Sequence, residues 1–135
     1  MTSTTYLIFD IGGTWIKATQ ATDTTISDVL KAPSTLQPGS KANDLVATLI
    51  ELAEKFSTIS PNAIAISTAG VVNYQGTALE LCAPHLSALR NPDWITQIRT
   101  FFQCPVTLIN DADAALIGVI DEGCLLYTSP SPRDA

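Results

Sequence analysis

Three short apolar runs constrain this chain more than any other feature of its sequence. Residues 6–11 (YLIFDI), 63–67 (AIAIS) and 106–109 (VTLI) stop at Gly12-Gly13, Thr68-Ala69-Gly70 and Asn110-Asp111. Runs this short do not make helices, and a continuous apolar strand is the mark of one buried on both faces, as in a parallel sheet. Two stretches of helical periodicity separate them. Leu45, Val46, Leu49, Ile50, Leu52, Ala53 and Phe56 follow Ser40, which predicts the helix cap. Trp94, Ile95, Ile98, Phe101 and Phe102 follow Asn91 as cap and Pro92 at the first helical position, and Pro105 closes the segment. A third helix is predicted over residues 112–121, with Gly123 beyond it.

The remaining segments read as antiparallel. Residues 14–20 return from Gly12-Gly13 as the second arm of a hairpin, and residues 24–31, with Ile26, Val29 and Leu30 apolar, predict a third strand. Residues 71–81 predict a small hairpin around Gly76. The whole order predicts an α/β lobe on a mixed five-stranded sheet: three antiparallel strands, then parallel strands, with helices on both faces. Asp10, Gly70 and Asp111 then leave the sheet at one edge, where such sheets bind ligands.

Charge and cysteine usage exclude several classes. Seven basic against 13 acidic residues, a net charge of -6, leave no basic surface for a nucleic-acid backbone, so no nucleic-acid partner is expected. Cys82, Cys104 and Cys124 are odd in number and far apart, which suits neither a disulfide framework nor a CxxC metal pair. The first apolar run is broken by Asp10 and is too short for a signal peptide or a membrane span, so a cytoplasmic location without a membrane partner is expected. Residues 124–135 (CLLYTSPSPRDA) lose all periodicity. They read as a disordered tail, or as translated adapter sequence at the end of a gene fragment whose natural chain continues.

Four places carry candidate chemistry. Asp10, Gly12, Gly13 and Thr14 put a carboxylate before a double-glycine turn and a hydroxyl after it, with Lys17 close behind. Bare glycine backbone can cradle phosphate oxygens, and Asp10 can hold Mg²⁺ directly or through water. On spacing alone an ordinary hairpin turn is the plainer alternative, since neither a P-loop nor GxGxxG is present. Asn110-Asp111 opens a helix after a strand, so Asp111 is either a helix cap or a general base. Ser67 to Gly70 offers a small-residue turn for a polar ligand, or simply a tight loop. His85, the one histidine, sits in a loop, where a surface or packing role is the ordinary one.

Taken together and in order, FDIGGTWIK at residues 9–17, AISTAGVVN at 65–73 and PVTLINDADAALIG at 105–118 resemble the N-terminal lobe of the ROK family of repressors, open reading frames and kinases. The likeness extends over roughly residues 6–120. It implies a ribonuclease-H-like, actin-like ATPase lobe spanning residues 1–123, and an ATP-dependent kinase for a hexose or amino sugar, similar to glucokinase or N-acetylmannosamine kinase. By the same resemblance Asp10, Gly12, Gly13, Thr14 and Lys17 face ATP and Mg²⁺, and Gly70, Asn110 and His85 lie on the sugar side. Asp111 becomes the base that takes the proton of the attacking hydroxyl. The family also implies a second lobe, with structural zinc only there, and a homodimer at full length.

The chain departs from the family pattern at several positions: Asn73 stands for Asp, His85 for Asn, Asp113 for Asn, and Val119-Ile120 for Glu. Two other classes stay open. One is a sugar-responsive repressor of the same family, whose DNA-binding domain precedes this lobe. The other is a stand-alone binding domain, which should be monodisperse and indifferent to loss of residues 124–135, whereas a lone lobe exposes apolar surface and self-associates.

Overall fold

A computed structural model describes residues 4–34, 36–56 and 60–112. Its architecture starts from strand β1, Thr5–Ile11, in which Leu7, Phe9 and Ile11 are buried while Tyr6, Ile8 and Asp10 point to the opposite, open face. β1 turns at Gly12-Gly13 into antiparallel β2, Trp15–Thr22, with Ile11 opposite Ile16 and Asp10 opposite Lys17. β3, Leu30–Pro33, pairs with β2, and β4, Ala63–Thr68, lies parallel on the other side of β1. β7, Val106–Asn110, runs parallel to β4, which gives the order β3-β2-β1-β4-β7. The mixed five-stranded sheet of the sequence reading is therefore present.

One core unites the buried face of this sheet with two helices. Helix α1, Ala42–Glu54, contributes Leu45, Leu49 and Leu52, and α2, Asp93–Phe102, contributes Trp94, Ile95 and Ile98. Both described helices cover the same face. The expected third helix, over residues 112–121, lies outside the described residues except for Ala112, as do Asp113, Val119, Ile120 and the segment 124–135. Among the described residues no helix is long and apolar enough to cross a membrane.

The structure corrects several local expectations. The third strand forms at Leu30–Pro33 rather than over residues 24–31, and Ile26 and Val29 are exposed. The Thr22 hydroxyl accepts the N–H groups of Thr24 and Thr25, and the Ser27 hydroxyl accepts the Gln20 N–H at 2.9 Å, so before Leu30 the pairing is reduced to an isolated bridge between Ala21 and Ile26. Ser40 does not cap α1, which starts one residue later behind Lys41; its hydroxyl accepts the Gln37 N–H at 2.7 Å and closes the loop before the helix. Asn91 does work at the start of α2, its Oδ1 accepting the Asp93 N–H at 3.0 Å. β4 alternates in burial, with Ile64, Ile66 and Thr68 buried but Ala63, Ala65 and Ser67 only half-buried.

The hairpin predicted at residues 71–81 forms from β5, Val71–Val72, and β6, Leu79–Leu81. Asn73 braces its turn, accepting the Thr77 and Ala78 N–H groups and donating to the Thr77 hydroxyl. The carbonyl of Gly76 accepts the Leu108 N–H at 3.0 Å, so the hairpin tip rests on β7. A short 3₁₀ helix, Pro84–Arg90, follows and buries Leu86 and Leu89.

The two faces of β1 should respond differently to truncation. Phe9→Ala removes a fully buried ring and should cost about 3–5 kcal/mol, whereas Ile8→Ala on the open face should cost under about 1 kcal/mol. Urea unfolding of both variants checks this, and equal losses would place the core elsewhere.

Candidate functional site

Parallel pairing aligns the exits of β1, β4 and β7. Asp10 lies beside Ser67, and Ile11, Thr68 and Asn110 form the next row. Because Phe9 and Ile11 are buried, Asp10 is held on the open face, where Ser67 Oγ donates to its Oδ1 at 3.1 Å. That bond engages one carboxylate oxygen and orients the group. Lys17, opposite Asp10 on β2, shares the same face and brings a positive charge to the row. The sequence reading missed Ser67 as a partner of Asp10; the signal was available in the aligned ends of the two apolar runs.

The double-glycine turn contains two glycines of different kinds. The Gly12 N–H donates to the Trp15 carbonyl at 3.0 Å, and a β-carbon on Gly12 would lie 2.8 Å from that same oxygen. The hairpin itself therefore demands glycine at this position. Gly13 has no positive φ, and among the described residues its missing β-carbon would meet, apart from its chain neighbours, only His85, with Nε2 at 3.4 Å and Cδ2 at 3.8 Å. The fold does not demand glycine there, so the bare backbone at Gly13 is available to something else. Thr14 is exposed beside it, its carbonyl accepting the Ser34 N–H at 2.9 Å.

At the β7 exit, Asn110 is fixed from both ends of its amide. Its Nδ2 donates to the Gly70 carbonyl and its Oδ1 accepts the Ala112 N–H at 2.8 Å. The second bond joins the Asn110 side chain to the N–H two residues on, as a capping side chain does, and the Asp111 side chain beside it is exposed. Gly70 has φ +106, and a β-carbon on it would lie 2.8 Å from the Leu81 carbonyl. Glycine lets the β4 exit turn tightly under the β5–β6 hairpin and present its carbonyl to Asn110.

All the residues proposed from sequence on the three exits thus gather at one edge of the sheet. His85 joins them, its Nε2 lying 3.4 Å from where Gly13 would carry a β-carbon. Cys104 does not, since it precedes β7 at the opposite end, where burial pushes its thiol up from the ordinary value. The donor set at the edge is hard oxygen, carried by Asp10. Such a set suits Mg²⁺, which binds through one or two carboxylates together with phosphate oxygens and water. Among the described residues there is no group of three or more His, Cys, Asp or Glu side chains of the kind that cages a metal.

The sequence matches the ROK family over residues 6–120. Comparison with curated proteins finds no match. Among solved structures, a ROK family protein from Streptococcus pneumoniae in complex with sucrose is 28% identical, with a TM-score of 0.65 over 87% of this chain and 37% of that one. A ROK hexokinase from Thermus thermophilus is 19% identical, with a TM-score of 0.65 over 88% of this chain and 38% of the other. A ROK family transcriptional regulator, a homologue of the E. coli MLC protein, is 20% identical, with a TM-score of 0.67 over 85% and 30%. The chain therefore spans between 30% and 38% of the length of these three proteins.

The two glycines of the turn should separate in stability. Gly12→Ala forces a backbone clash and should cost about 1–3 kcal/mol, whereas Gly13→Ala asks only a small shift of the His85 ring and should cost under about 1 kcal/mol. Thermal unfolding of the two variants decides it, and a larger loss at Gly13 would contradict the geometry.

Proposed function

This chain belongs to the ROK family, and from that premise we propose that it is the N-terminal lobe of a kinase that transfers the terminal phosphoryl group of ATP to a hydroxyl of a hexose or amino sugar. One observation carries the reading. The Asp10 carboxylate and the Asn110-Asp111 pair share a sheet edge with a turn whose second glycine the fold itself does not require. Phosphoryl transfer to an alcohol needs a phosphate and Mg²⁺ site beside a general base, with little covalent chemistry left for the protein to do.

In this mechanism the N–H groups of Gly13 and Thr14 receive phosphate oxygens, and Lys17 adds positive charge behind them. Asp10, oriented by Ser67, would hold Mg²⁺, which when bound neutralises charge on the phosphates. Asn110, locked between Gly70 and Ala112, positions the sugar. Asp111 accepts the proton of the sugar hydroxyl as that oxygen bonds to the terminal phosphorus, and the bond from that phosphorus to the bridging oxygen of ADP breaks.

A glucokinase-like or N-acetylmannosamine-kinase-like substrate accompanies this reading, as does a cytoplasmic site of action. The likeness to a transcriptional regulator supports a second reading, a sugar-responsive repressor built on the same lobe. An exposed Asp111 at the strand exit favours the kinase, because sugar sensing alone does not call for a base.

On this reading the described residues supply one wall of the cleft, and the chain spans 38% of the length of the ROK hexokinase. In the full-length protein of the parent gene, Asp111→Ala should lower kcat for sugar phosphorylation by roughly 10²–10⁴-fold, with the KM for ATP little changed. Coupled-enzyme assays across hexoses and amino sugars measure both quantities. Phosphorylation that survives the substitution at near wild-type rate would sink the assignment.

A further inference from the structure

We infer that His85 serves the phosphate side of the site, donating an Nε2–H hydrogen bond to the terminal phosphoryl group seated on the Gly13 turn. The inference rests on the kinase reading above and names a residue for that same site. Sequence resemblance put His85 on the sugar side, yet its ring edge stands against Gly13, with Nε2 the nearest atom at 3.4 Å from the missing β-carbon. Among the described residues nothing else comes within 4 Å of that point, apart from the chain neighbours of Gly13. The glycine is thus bordered by one polar ring and is not required by the backbone.

The backbone that carries the ring is pinned on both sides. Pro84 starts the 3₁₀ helix, the Leu86 N–H donates to the Ala83 carbonyl at 2.9 Å, and Leu86 and Leu89 are buried in the core. Half-buried His85 makes no hydrogen bond to any described residue, so among these its donor is uncommitted. An anion resting on the N–H groups of Gly13 and Thr14 meets this edge of the imidazole, where a donor to phosphate makes one of the stronger hydrogen bonds.

The position also selects which phosphoryl group is met. Cys82 Cβ lies 3.3 Å from where Gly70 would carry its β-carbon, and three residues later His85 reaches Gly13. The segment from Cys82 to His85 therefore bridges the β4 exit, beside Asn110, and the phosphate turn. A group between these two places is the one in transfer rather than the two that stay with the nucleoside.

Calorimetric binding of adenylyl imidodiphosphate and of ADP, each with Mg²⁺, to the full-length protein tests this. His85→Ala should weaken the triphosphate analogue about tenfold or more while leaving ADP unchanged, and His85→Gln, which retains an N–H donor, should recover most of the loss. Equal weakening of both nucleotides would reveal a merely structural histidine and overturn the inference. No change with either nucleotide would return His85 to the sugar side or to no role, and would overturn it as well. Failure of the wild-type protein to bind either nucleotide would remove the phosphate reading of the turn, and the inference with it, whereas the Asp111→Ala assay bears on the kinase reading alone.

Discussion

The burial of Phe9 between its sheet neighbours is the constraint on which the rest of this lobe depends. β1 is the middle strand of five, and its inward residues Leu7, Phe9 and Ile11 meet Ile64 and Ile66 of β4 and Ile16 and Ala18 of β2 over the two helices. A strand has only two faces, so sending Phe9 and Ile11 inward leaves Asp10 no choice but the outer one. A slip of one residue would bury a carboxylate and expose the core. The hydrophobic effect therefore fixes the register, and the register puts Asp10 beside Ser67 and opposite Lys17.

The same logic sorts the glycines. Gly12 and Gly70 are dictated by backbone geometry: one closes the hairpin onto the Trp15 carbonyl, the other turns the chain at positive φ beneath the Leu81 carbonyl. Gly13 is dictated by neither, and among the described residues the His85 ring is what a β-carbon there would meet beyond its chain neighbours. Fold requirements and site requirements are thus separable within two adjacent residues. A glycine that the backbone can do without is the more informative of the pair about ligands.

Much of the fold was legible because burial and periodicity are local signals. The three apolar runs became β1, β4 and β7, and the helical spacings from Leu45 and from Trp94 became α1 and α2. Expectations failed where a polar side chain had more than one backbone partner within reach. Ser40 chose the Gln37 N–H over the helix, and Ser27 took the Gln20 N–H that a longer third strand would have used. Propensity ranks such residues as caps and turn formers without saying which donor each will satisfy. At the Asn110-Asp111 pair it is the Asn110 amide oxygen that accepts the Ala112 N–H, a partner the spacing alone does not single out.

By itself the sequence determined the order of strands and helices up to β7, the single edge where the three parallel strands end, and the residue types that edge presents. These follow from apolar periodicity and from chain connectivity, which operate over a few neighbouring residues at a time. Only the tertiary structure decided that Ser67 orients Asp10, that Asn110 is tied to Gly70, and that His85 stands over Gly13 rather than elsewhere. Each of those contacts joins segments tens of residues apart. Which side chains meet across such distances is set by strand register and by how the 3₁₀ helix seats on the core, and neither is a property of a local stretch of sequence.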